Sequence, residues 1–171
     1  MNIYRQILQQ LESCVNERRY QSLETDWLEV KPAPSTRGLW DSINESVCAF
    51  LNTRGGVVIL GVKEEQKPAR HFVFTGYDET QAENVRRIRA TFTDRVGNEL
   101  DLAEQISVQV EPFLGGQVAL VHVTALSDDR RYAFFKGTAH ERVLDGDPGI
   151  PADRVEIQEE RKRELAYARE L

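Results

Sequence analysis

Positive charge is what this 171-residue sequence is short of: 22 Lys and Arg stand against 28 Asp and Glu, a net charge of −6. That balance excludes a plain basic clamp on nucleic acid, which needs excess cation to meet phosphate. Local patches stay open, because the field at a surface follows its nearest charges. Cysteine is scarce, with Cys14 and Cys48 only, and neither belongs to a CxxC pair. Reduced, half-buried thiols on helices are expected rather than a disulfide. His71, His122 and His140 show no HxH or HExxH spacing, which excludes a histidine-built zinc centre. GxxxxGK[ST], GxSxG and SxxK are all absent, so an ATP phosphate loop and covalent serine catalysis have no support. No apolar run approaches the ~20 residues of a membrane span. The opening MNIYRQILQQLESC lacks the basic start, apolar centre and small-residue cleavage site of a secretion signal. The expected location is the cytoplasm, with no membrane partner.

What is present reads as one α+β domain between two helices. Residues 1–20 form an amphipathic helix, with Ile3, Ile7, Leu11 and Val15 repeating every four positions. It either packs on the domain or serves as a dimerisation arm. Residues 21–150 form the domain, and residues 151–171 a charged helix opening with Asp153 near its positive end. Within the domain, a short strand at 26–31 places Trp27 and Glu29 on one side, Leu28 and Val30 on the other. PAPSTRG is a loop, and a helix follows over 39–52. NTRGG stops that helix, and VVILGV, apolar on both faces, reads as a central strand. A strand at 71–75 and a helix at 79–96 come next, the helix turning Ala82, Val85, Ile88, Phe92 and Val96 inward. Strands at 106–113 and 117–126, each with one covered face, are joined by Leu114, Gly115 and Gly116. Residues 132–135 and 140–144 form a last strand pair, and 145–149 a turn cluster. The expected architecture is a mixed, largely antiparallel sheet of five or six strands with helices on its faces, plus the terminal helices.

Chemistry concentrates around the acids Glu24, Glu29 and Glu64. The first two flank the start of an edge-like strand, and the third lies just past VVILGV. If those strands are neighbours, the carboxyls meet at one sheet end, the kind of oxygen cluster that holds Mg²⁺ or Mn²⁺. Lys31 points to the same side as Glu29 and can meet a phosphate. On spacing alone, these residues read as solvated surface acids.

Glu24-x4-Glu29-Val-Lys31, an amphipathic helix, and then AFLNTRGGVVILGVKE resemble the core of the Schlafen-like AlbA-type domain, over roughly residues 22–157. Arg142 and Gly146 stand where that family often has an arginine and a glycine. Glu64 stands where the family has Asp, Lys63 replaces the acid before it, and LDGDPG replaces a serine- and threonine-rich turn. The resemblance implies nucleic-acid binding, with RNA or DNA as partner. It also implies catalytic residues Glu24, Glu29 and Glu64, acting as ligands of a divalent cation (Mg²⁺ or Mn²⁺), with Lys31 on phosphate. The corresponding activity is a metal-dependent endoribonuclease on structured RNA. Two alternatives stand beside it: a non-catalytic DNA-binding transcriptional regulator, and an interaction module that dimerises through its terminal helices without nucleic-acid affinity.

Arg37, Arg54, Lys63, Arg130, Arg131, Lys136 and Arg142 are the expected nucleic-acid contacts, scattered over loops and helix faces. Arg130 and Arg131 precede Tyr132, Phe134 and Phe135, a mixture that suits phosphate contact with base stacking. The same rings read more readily as the core side of a hairpin.

Overall fold

The computed structural model, which describes residues 3–127 and 131–170, splits the apolar run VVILGV in two. Along the chain lie α1 (Ile3–Asn16), β1 (Leu28–Lys31), α2 (Arg37–Asn52), β2 (Gly56–Leu60), β3 (Val62–Glu65) and β4 (His71–Phe74). Then come α3 (Glu79–Arg86) with a 3-10 turn (Arg87–Ala90), β5 (Ile106–Phe113), β6 (Gly116–Val123) and α4 (Ala152–Glu170). The fold is α+β, as expected. The single sheet of five or six strands is corrected: among the described residues there is a four-stranded sheet, ordered β1-β2-β6-β5, and a separate two-stranded ribbon of β3 and β4. β1 runs parallel to β2, and the other pairs are antiparallel.

The break falls at Gly61, whose φ of +124° is closed to most side chains. A Cβ there would lie 3.2 Å from Gly76 and from Val118. Gly61 N–H bonds Lys31 O at 2.9 Å, while its carbonyl accepts from Thr75 N and Gly76 N at 2.8 and 2.9 Å. The chain therefore leaves the main sheet and returns to it at one residue.

Both faces of the sheet are covered. α2, α3 and the 3-10 turn lie over Val58, Leu60, Ala119 and Val121. α1 covers the opposite face, packing Ile7, Leu8 and Leu11 with Leu28, Val57, Ile59 and Leu120. Each such buried aliphatic side chain stabilises the fold by roughly 1.5–3 kcal/mol. One expectation changes for this reason. β6 is buried on both faces from Val118 to Val121 rather than on one, because it sits between β2 and β5. Of the α1 stripe, Ile7, Leu8 and Leu11 are covered by their own chain, while Ile3 is 52% exposed. Cys14 and Cys48 are free and fully buried rather than half-buried, and they lie in the two different cores.

α2 starts two residues before its expected first residue, because the Thr36 hydroxyl accepts from Leu39 N at 3.2 Å and caps it. It ends where Gly55, at φ +75°, returns its N–H to Phe50 O at 2.8 Å. The helix expected over 79–96 stops early. The Asp94 carboxylate accepts from Val96 N and Asn98 N and folds a turn, so Val96 is 71% exposed instead of inward, although Phe92 is buried.

The last strand pair is also corrected. Residues 132–135 and 140–144 make only isolated bridges, such as Thr93 with Phe134 and His140 with Gly149. Their backbone is satisfied instead by one side chain of α2: Asn52 Nδ2 donates to Ala133 O at 2.9 Å and His140 O at 3.0 Å, and Asn52 Oδ1 accepts from Ala133 N at 2.8 Å. α4 packs Val155 against Tyr132, Phe134 and Ile150. No helix among the described residues is long and apolar enough to cross a membrane.

Candidate functional site

Strand alternation puts Glu29 and Lys31 on the α2 side of β1, because Leu28 and Val30 are buried on the α1 side. Lys31 Nζ bonds Ser42 Oγ of α2 at 2.7 Å and lies 3.6 Å from Glu29 Oε1. The loop before β1 folds back through Thr25 N to Leu28 O at 3.0 Å. Glu24 then accepts from Val30 N at 3.3 Å with one carboxyl oxygen, and its carboxyl meets that of Glu29. Burial, then the Glu29 charge, then their shared hydrogen bond push the Glu24 carboxyl up to about 8. Near neutral pH the Glu24 carboxyl therefore keeps its proton.

Beneath this pair lies Arg142, its side chain fully buried. Nη1 donates to Glu29 Oε2 and Asp147 Oδ1, each at 2.7 Å. Nη2 donates to Thr25 O at 2.8 Å and Leu28 O at 3.0 Å, and Nε to Thr25 O at 3.1 Å. All five guanidinium donors are thus occupied inside the protein. The ring of Phe50 lies 5.0 Å away. Burial pulls the guanidinium pKa down, but the bonds to Asp147 and Glu29 outweigh it and the net shift is upward. Asp147 is fixed in turn by Ser46 Oγ at 2.7 Å, and its carbonyl lies 2.9 Å from His140 Nδ1.

Glu64 is on β3, paired across the ribbon with Phe72. It shares a cavity of about 760 Å³ with Glu24, Glu29, Lys31 and Lys63. It does not join the other two acids: Arg70 Nε forms an ion pair with Glu64 Oε1, and the Arg70 guanidinium is stacked 3.6 Å over the ring of Tyr20. Among the described residues, no group of three or more His, Cys, Asp or Glu side chains is arranged to hold a metal ion. One Glu29 oxygen is taken by Arg142, Glu24 retains a proton, and Arg70 holds Glu64, so the donor set as it stands does not fit a three-carboxylate metal centre.

The expected basic contacts divide. Arg142 is a correction: with every donor occupied, it is an internal strut and not a nucleic-acid contact. Lys63 pairs with Glu65 beside it, and Lys136 bonds Asp41 at 2.8 Å. Arg54 is loosely placed 3.9 Å from Asp26 and is 81% exposed. Arg37 and Arg131 are exposed, and Arg130 lies outside the described residues. The rings of Tyr132, Phe134 and Phe135 are buried, so the stacking alternative for them gives way to the core alternative. Sequence reading missed Asp147 and Thr25 as partners of Arg142, Ser46 as partner of Asp147, Ser42 as partner of Lys31, and Arg70 as partner of Glu64. Asp147 stands in a stretch whose Gly and Pro content marks only a turn.

The site lies within the segment that known proteins share. A family model described as Schlafen AlbA_2 matches residues 24–149, which run from Glu24 past Asp147. A crystal structure of a protein from Corynebacterium diphtheriae superposes with a TM-score of 0.55 at 19% identity, over 91% of this chain and 32% of that one. This chain therefore spans about a third of that protein's length. The solution NMR structure of the N-terminal domain of a RecG-related protein from Nitrosomonas europaea superposes with a TM-score of 0.53 at 20% identity, over 82% of this chain and 91% of that domain. At such identities the two structures share the fold alone. None of the curated proteins matches the chain.

Proposed function

The chain belongs to the Schlafen AlbA_2 family, and from that premise we propose that it binds nucleic acid along a groove passing over the Glu24–Glu29 pair. One observation carries the reading: the acids on the groove floor are neutralised from within. Glu24 keeps its proton up to about pH 8, and Glu29 faces Arg142 and Lys31. A phosphate chain above them meets little net negative charge, although the protein as a whole is acidic. Cations border the floor on both sides. Glu24 lines the cavity of about 760 Å³ that holds Lys31 and Lys63. It also lines an adjoining one of about 620 Å³, where Arg54 stands beside Asp26 and Asp145. The RecG-related protein is named for an ATP-dependent DNA helicase, which supports nucleic acid as the ligand class without choosing RNA or DNA.

Metal-dependent cleavage of structured RNA, with Mg²⁺ or Mn²⁺, is the second reading. The contact between Glu24 and Glu29 favours it, and it requires Glu64 to leave Arg70. One experiment separates the readings. Labelled tRNA, single-stranded DNA and duplex DNA are titrated with the protein at several salt concentrations, with Mn²⁺ and with chelator. Binding that weakens with salt, without cleavage, supports the groove. Cleavage that stops with chelator and in Glu24→Gln supports the second reading. Glu24→Gln suits this test better than Glu29→Ala, which would strand the buried Arg142 charge. Duplex binding alone, unchanged in Glu24→Gln, points to a transcriptional regulator. No affinity for any of the three at low salt overturns the proposal and leaves a protein-interaction module.

A further inference from the structure

A third cavity, of about 360 Å³, continues the groove beyond Ser35, which lines both it and the cavity of the acid pair. Its wall consists of Pro34, Ser35, Thr36, Arg37, Trp40 and Arg87, with no acid among them. Arg37 and Arg87 arrive from different elements, the first turn of α2 and the 3-10 turn after α3. Among the described residues neither guanidinium has an ion-pair partner, in a chain where Arg70, Arg142, Lys63 and Lys136 all do. Two like charges lining one cavity with no ion-pair partner among the described residues repel each other, and an anion between them relieves that repulsion. Trp40 is half-buried: one part of the indole packs on the core that Ile43 and Val47 share, and the rest lines the cavity. An indole seated partly on the core offers its remaining surface for stacking.

Building on the groove reading, we propose that this cavity takes one unpaired nucleotide of a single strand, its base against Trp40 and its flanking phosphates on Arg37 and Arg87. A base in a duplex has both faces covered by its neighbours, so only an unpaired base offers a face to the indole. The guanidiniums and the ring carry this assignment without any contribution from the helix end beside them. The bound strand then runs past Ser35 onto the neutralised acid floor, which makes the cavity the feature that selects single strands over duplex.

The test uses the full chain and a fluorescent oligothymidylate, compared with a fully paired duplex of equal length. Arg37→Gln with Arg87→Gln is expected to weaken single-strand binding and to reduce the log–log salt slope by about 1.4, about 0.7 for each phosphate no longer neutralised. Trp40→Leu is expected to weaken single-strand binding roughly tenfold at an unchanged salt slope. Duplex affinity should hold in both variants. Because Trp40 also touches the core, a second measurement leaves it in place: in Trp27→Phe, the remaining tryptophan emission should be quenched by oligothymidylate and not by duplex. If the wild type binds but the variants match it in affinity and slope, or the emission does not respond, the nucleotide cavity is overturned and the groove stands. Equal losses for duplex and single strand overturn the cavity's selectivity. If the wild type binds no nucleic acid, both fall.

Discussion

Arg142 and Arg37 are the same side chain used in opposite ways. Arg142 is sealed beneath the acid pair with every donor bonded, and it ties the loop at Thr25, the strand β1 and the turn at Asp147 into one unit. Arg37 stands at the surface beside Arg87 and Trp40, with no ion-pair partner among the described residues. A basic residue's value to a ligand therefore depends on what has already engaged it. In a chain of net charge −6, most cations near the groove are engaged by neighbouring carboxylates. Arg37 and Arg87, with no ion-pair partner among the described residues, line one cavity, and such grouping matters more than the total.

Substitutions on either side test this contrast. The largest effect is expected for Arg142→Leu, which strands Glu29 and Asp147 without their cation; a loss of about 3–5 kcal/mol in chemical denaturation follows. A loss below about 1 kcal/mol would erase the distinction between strut and free cation. Asn52→Ala comes next, because it removes the side chain that satisfies Ala133 and His140. About 2–3 kcal/mol is expected from the buried backbone groups left unpaired.

Glu24→Gln follows and reads out as pH dependence. In the folded chain Glu24 keeps a proton between its ordinary 4.5 and about 8, whereas the unfolded chain has lost it there. Wild-type stability therefore falls as pH rises through that window. The amide cannot titrate, so the variant's denaturation midpoint should be flatter with pH. At pH 8 it should exceed the wild type by roughly 1–2 kcal/mol, a figure lowered for the solvent at this half-buried site. A wild-type midpoint that instead rises over the window would rule out a protonated Glu24. Arg87→Gln should be the smallest, within about 0.5 kcal/mol of wild type in stability. A larger loss would show that this guanidinium is a strut too.

The convergence of Glu24, Glu29 and Lys31 was legible in the sequence, because strand alternation fixes which side chains share a side and a short loop keeps Glu24 close. The helix stop at Asn52 and the hairpin around Gly115 were legible for similar local reasons. Arg142 was visible as a charge but not as a buried one. Its bonds to Thr25 span 117 positions, and nothing in LDGDPG distinguishes an internal partner from a turn residue. Gly61 was legible as part of an apolar run, and the bend it permits is not, since glycine accepts an ordinary strand angle equally well. The retreat of Glu64 to Arg70 depends on the ribbon lying against Tyr20, a contact between elements that no spacing encodes.

The ribbon of β3 and β4 leaves and rejoins the main sheet at Gly61, and Phe72 and Phe74 root its base in the core under α1. Its two strands depart and return within a few ångströms of each other, so residues 66–70 at the tip can be lengthened or trimmed while the register of the four-stranded sheet stays as it is, at an entropic cost that grows only slowly with length. The tip is thus a part separate from the groove, whose wall takes only Lys63 and Glu64 from the ribbon.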